Sequence, residues 1–165
     1  MQITRRAALP IAFLSLLSAP TIAASCMSLL PGLAFCGQSG WELVAIDGDQ
    51  VRMAHDGGLT AEIRLRRGLS AEDMQWESCM AAHAPISARA QVLSVQSPEI
   101  SGRIASTTAY LPRHLSPAAV IALTSYQGDG LSLVVTTRGP GDTYSDPHQR
   151  AHAALLAALK LDPPE

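Results

Sequence analysis

The segment from Pro117 to Arg138 constrains the fold more tightly than any other stretch of the chain. Two runs rich in β-branched and apolar residues, 117–126 and 131–138, flank Gln127-Gly128-Asp129-Gly130. Glycines at 128 and 130 admit positive φ, so the pattern predicts a β-hairpin. In the second run Leu131, Leu133, Val135 and Thr137 point one way, and Ser132, Val134, Thr136 and Arg138 the other. One face is apolar and the other half polar, which places the hairpin at the centre of an antiparallel sheet with one covered face.

The N-terminus sets the expected compartment. Met1 to Arg6 carries two positive charges, Ala7 to Leu17 is almost wholly apolar, and Pro20, Ala23, Ala24 and Ser25 follow. A basic start, an apolar middle and a small-residue processing site predict a cleaved export signal over residues 1–24. Pro10 and Pro20 interrupt the run, which falls short of the about 20 uninterrupted apolar residues of a spanning helix. Thr4-Arg5-Arg6 ahead of Leu9 resembles a twin-arginine signal without its usual aromatic residue and lysine, which leaves the export route open. The expected location is periplasmic or extracellular.

Export to an oxidising space favours disulfides, and the chain has three cysteines. Cys26 follows Ala23-Ala24-Ser25 much as the lipid-modified cysteine of a bacterial lipobox does, with Ala23 where that pattern prefers leucine. Lipidation there would tether the protein to a membrane; ordinary cleavage leaves Cys26 free to pair. Cys26–Cys36 would close a short loop, whereas Cys36–Cys79 would tie an N-terminal arm to the first helix and leave Cys26 for a lipid. The second pairing is the one expected. No Cys-x-x-Cys is present, which argues against thioredoxin-type redox chemistry.

With 165 residues the chain suits one domain. Its net charge of −2 becomes more acidic once Arg5 and Arg6 leave. Such a surface lacks the basic footprint of a nucleic-acid binder and the polybasic patch of a membrane-surface binder. Trp41–Ile46, Val51–His55 and Leu59–Leu65 read as strands joined by the turns Asp47-Gly48-Asp49 and Asp56-Gly57-Gly58. Ser70 opens a helix to Ala84, with Asp73 as its capping-box partner and Leu69 set to staple onto Met74. The Trp76, Cys79, Met80 and His83 stripe on that helix reads as core. Val92–Val95 and Ile104–Leu111 are further strands. Asp146-Pro147 starts a last helix that runs to about Leu161.

The expected fold is therefore α+β, a single antiparallel sheet of about seven strands with two helices in the order βββ-α-ββββ-α, sandwich-like. Residues 1–24 form the signal, 25–40 an N-terminal arm, 41–161 one domain and 162–165 a tail. The Gly57-Gly58-Leu59 turn, the capped helix from Ser70, the Ser101-Gly102-Arg103-Ile104-Ala105 strand entry and the hairpin closing into a C-terminal helix resemble the PsbP/DcrB-like superfamily. These are small exported α/β/α sandwich domains, mostly non-enzymatic lipoproteins, photosystem accessory subunits or partner-binding modules. The resemblance implies binding or assembly.

His148 and His152, four apart on the last helix, can turn both imidazoles toward one ion, with Asp142 or Asp146 as a further ligand. The alternative is that both are half buried and satisfied by backbone or water. No glutamate follows His148, so the His-Glu-x-x-His protease pattern is missing. There is no Gly-x-Ser-x-Gly elbow and no phosphate-binding glycine loop. Arg64, Arg66 and Arg67 form a basic spot beside the Ser70 helix start, more in keeping with a solvated strand end than with an anion site. Asp47-x-Asp49 lacks the twelve-residue loop of a calcium site. The expected function is thus an exported accessory, binding or assembly module with no catalytic residues and no cofactor. Its partner would be a protein or small ligand of the cell envelope. The rival is a small metal-dependent enzyme or metal-binding protein using His148 and His152.

Overall fold

The computed structural model describes residues 25–37, 39–70, 73, 90–113 and 117–162. The expected export signal and most of the first expected helix, Cys79 included, lie outside the described residues. Twelve strands and one helix are present among them. The strands are β1 (Cys26–Leu30), β2 (Leu33–Cys36), β3 (Trp41–Asp47), β4 (Gln50–His55), β5 (Thr60–Arg67) and β6 (Ala90–Gln96). They continue with β7 (Glu99–Ile100), β8 (Arg103–Ile104), β9 (Ser106–Pro112), β10 (Ala119–Gly128), β11 (Leu131–Pro140) and β12 (Leu159–Leu161), and α1 is Asp146–Ala158.

Seven strands form one antiparallel sheet in the order β3-β4-β5-β11-β10-β9-β6, with the expected hairpin in its interior. Gly128 pairs with Leu131, so the connection is the two residues Asp129-Gly130 and not four. Their φ angles of +55° and +67° are those of the turn whose twist matches the flanking strands. Replacing Gly130 by alanine brings its Cβ into ordinary contact with the Leu69 carbonyl oxygen, 3.7 Å away, but forces a side chain into the left-handed region. Chemical denaturation should therefore show a loss of about 1 kcal/mol for Gly130→Ala.

The alternation anticipated in β5 is present, with Ala61, Ile63 and Leu65 buried and Thr60, Arg64 and Arg66 exposed. Those three apolar side chains meet Val51, Met53, Leu133, Val135 and Leu155 in one core. Trp41 at the start of β3 joins it and donates its indole N–H to the Ala151 carbonyl across 2.9 Å, tying the sheet's rim to α1. Ser70 and Asp73 form the expected capping box: the Asp73 amide donates to the Ser70 hydroxyl, and the Ser70 amide and hydroxyl both donate to the Asp73 carboxylate. These bonds hold the Asp73 carboxyl below its ordinary range.

Four expectations need correction. Residues 25–40 are not an arm ahead of the domain. β1 and β2 form a hairpin whose Leu29, Leu30, Leu33 and Phe35 enter the core. The last helix stops at Ala158, and Leu159–Leu161 instead pair with β2 as β12, burying Leu159 and Leu161 and pointing Lys160 outward. Helical periodicity reads through this point because Leu155 and Leu159 fit either geometry; the open edge of β2 supplies ladder partners that a further helical turn would forgo. Cys36 is bonded to Cys26 and not to Cys79, because the β1–β2 register sets the two cysteines opposite each other with Cα atoms 4.1 Å apart. Ile104, expected to open a long strand, belongs to the small β7–β8 hairpin, and the main strand starts at Ser106.

Candidate functional site

The histidine pair singled out in the sequence lies buried between α1 and the main sheet. Ser145 is the N-cap of α1, Asp146 sits in the first turn and Pro147 follows, where a missing amide hydrogen costs nothing. The helix then sets His148 and His152 one turn apart, facing the sheet, only 3% and 2% exposed. Gly139 on β11 makes room for them. A Cβ there would come within 2.6 Å of a Leu59 methyl and 2.8 Å of His148 Nδ1.

Both imidazoles converge on one hydroxyl. Thr137 Oγ1 lies 2.9 Å from His148 Nε2 and 2.8 Å from His152 Nδ1. His152 Nε2 in turn lies 2.7 Å from Thr124 Oγ1, which lies 2.6 Å from Thr107 Oγ1. The result is an unbranched buried chain, His148–Thr137–His152–Thr124–Thr107, crossing from α1 over β11 and β10 to β9. Thr124 and Thr137 are fully buried and Thr107 nearly so.

Each link holds one hydrogen, so the chain is saturated with both histidines neutral. Burial pushes the His148 imidazole below its usual range. Burial, with a smaller contribution from His148, brings His152 down to about 4. The Tyr144 ring meets His148 edge-on with centroids 5.0 Å apart, and burial pushes its phenol up to about 12. Beyond Thr107 the chain reaches a cleft of about 110 Å³ between α1 and the β6–β9 side of the sheet, lined also by His152, Tyr144, Gln149 and Glu99.

This geometry obstructs the metal reading. An ion held by His148 Nε2 and His152 Nδ1 would sit where the Thr137 hydroxyl already lies, with bonds of about 2 Å to nitrogen. Among the described residues no group of three His, Cys, Asp or Glu side chains gathers as a metal centre. Asp142 and Asp146 are exposed at the mouth of α1. Zinc or copper titration should therefore leave both imidazole NMR signals unmoved below millimolar metal.

The arginine spot also disperses. Arg64 donates to Glu62 and Gln50, while Arg67 donates to the Gly32 carbonyl at the β1–β2 turn. Sequence reasoning placed Thr137 on the covered face but missed Thr107 and Thr124 as members of the site. Their signal was slight: each is a lone hydroxyl on the buried side of a strand, and only the register Thr107↔Thr124 brings them together.

No family model and no curated protein sequence matches the chain. Solved structures do. The Ran-binding protein Mog1p of Saccharomyces cerevisiae superposes with a TM-score of 0.54 at 10% identity, over 84% of this chain and 95% of that one. Cyanobacterial PsbP (CyanoP) of Synechocystis sp. PCC 6803 superposes with a TM-score of 0.51 at 12% identity, over 90% and 99%. The chain has the PsbP/Mog1/DcrB-like fold. A protein of Bacteroides thetaiotaomicron adds a further match at a TM-score of 0.52 and 10% identity, where 80% of this chain covers 46% of a longer one. The PsbP/Mog1/DcrB-like fold agrees with the resemblance drawn from the turn and cap positions. At these identities the likeness concerns architecture, and the chemistry rests on this chain's own residues.

Proposed function

We propose that this chain is an exported binding or assembly module that works without catalysis. The observation that carries this reading is the closure of its histidine cluster. Among the described residues both imidazoles hydrogen-bond to threonine hydroxyls, and to no carboxylate, serine or cysteine side chain. Such a network specifies one packing of helix on sheet and has no obvious turnover to perform. The fold is shared with a protein whose name records Ran binding.

Contact surfaces are present at both rims of the main sheet. β3 and β6 each carry a bulge, and Val44 and Val95 are 61% and 68% exposed there. Bulges interrupt edge-to-edge pairing, so a partner would meet these side chains in preference to adding a strand. A photo-crosslinker placed at Val44 or Val95 should give a discrete adduct in the cell envelope that a crosslinker at exposed Asp142 does not give. Identical labelling at all three positions counts against the reading.

The compartment can be read from one intact-mass measurement. The Cys26–Cys36 bond occupies the sulfur that lipidation would need. The non-reduced mature protein should lack residues 1–24, be two hydrogens lighter than its dithiol form and carry no acyl chain. A product retaining Met1 with free thiols overturns export, and an acyl mass overturns the disulfide.

A further inference from the structure

The buried chain ends at a cleft, and the chemistry of that end has a preferred ligand. Thr107 and His152 form its inner wall, while Pro98, Ala153 and Leu156 contribute apolar surface. Among the described lining residues the one charged group is the carboxylate of Glu99, which is exposed at the rim. Tyr144 remains a neutral phenol and His152 a neutral imidazole at physiological pH, so the cleft carries one negative charge. A volume of about 110 Å³ suits a few waters or a compact organic molecule.

We propose that this cleft binds a small primary ammonium compound, a cation with N–H donors and a short apolar tail. The ammonium group pairs with Glu99 and donates to Thr107 Oγ1, and the tail lies against the apolar side of the cleft. Beyond the bond to Thr124, Thr107 makes no other side-chain hydrogen bond among the described residues, so its hydroxyl oxygen retains acceptor capacity.

Occupancy then fixes the direction of the whole chain. With Thr107 accepting from the ligand, its own hydrogen stays paired only by donating to Thr124. Thr124 must then donate to His152 Nε2, His152 Nδ1–H to Thr137, and Thr137 to His148 Nε2. Both histidines are held as Nδ1–H tautomers. A carboxylate in the cleft would accept from Thr107, reverse every link and hold both as Nε2–H tautomers.

The test is a titration of the purified protein with n-propylammonium chloride, followed by long-range nitrogen–proton correlation spectra of the imidazoles. The expected result is saturable binding with shifts centred on Glu99, Thr107 and Tyr144, and with both histidines as Nδ1–H tautomers in the bound state. Glu99→Gln, an exposed substitution that leaves the core intact, should weaken binding at least about tenfold, the factor a charge pair of some 1.4 kcal/mol supplies. Propanol and propionate should bind more weakly than the ammonium ion. Absence of saturable binding, equal binding of propionate, an unchanged affinity in Glu99→Gln, or an Nε2–H histidine in the bound state each overturns the proposal.

Discussion

Acidification from neutral pH to pH 4 should remove about 3 kcal/mol of folding stability through His152 alone. An unfolded histidine titrates near 6.5, whereas burial brings folded His152 down to about 4. Above pH 6.5 neither state holds the extra proton, and stability from this group is fully present. Between 6.5 and 4 the unfolded chain binds a proton that the folded one refuses, at about 1.4 kcal/mol per pH unit. Below pH 4 both states are protonated and the loss levels off. His148, depressed in the same direction, adds to the effect.

The Asp73 carboxyl, lowered by its bonds to Ser70, begins to matter only below its ordinary range, so the two contributions separate along the pH axis. Urea unfolding of wild type and His152→Gln across this interval measures the effect. The expected outcome is a wild-type stability that falls from pH 6.5 to 4 with a clearly shallower fall in His152→Gln. Parallel curves would show that His152 does not titrate as its burial requires.

Thr137→Val should cost about 2–4 kcal/mol, out of proportion to a swap that conserves shape. The hydroxyl is the meeting point of His148 Nε2 and His152 Nδ1. Valine leaves both nitrogens buried without a partner, and each unmet polar group costs about 1–3 kcal/mol. Thr107→Val, at the chain's end, removes only the bond to Thr124, which keeps its bond to His152. It should cost about 1 kcal/mol. Chemical denaturation of the two variants side by side checks this ordering, and equal costs would refute a chain centred on Thr137. A double variant with His152→Gln should be less destabilised than the sum of its singles, because both changes sever the same links.

Local rules accounted for much of the architecture. The alternation of Ala61, Ile63 and Leu65, the Ser70–Asp73 capping box and the Asp129-Gly130 turn all follow from backbone geometry within a few residues. The helical spacing of His148 and His152 likewise put both on one side of α1. Their partners were another matter. Thr124 lies 28 residues before His152, and Thr107 a further 17 before that, so only strand register lines them up. Two histidines one turn apart suit an ion and a hydroxyl equally well, and the choice depends on what the facing strand presents.

By itself, the sequence determined where the chain can turn, which faces of β5 and β11 are apolar, and that two imidazoles share a helix side. Those features depend on contacts a few residues apart, where φ preference and side-chain period decide. Tertiary structure alone decided that Leu159–Leu161 leave the helix for the edge of β2 and that Cys26 meets Cys36 across a hairpin. It also decided that the histidines close on Thr137. Each of these depends on which distant backbone or hydroxyl arrives opposite, and that is set by sheet register, which no local pattern encodes.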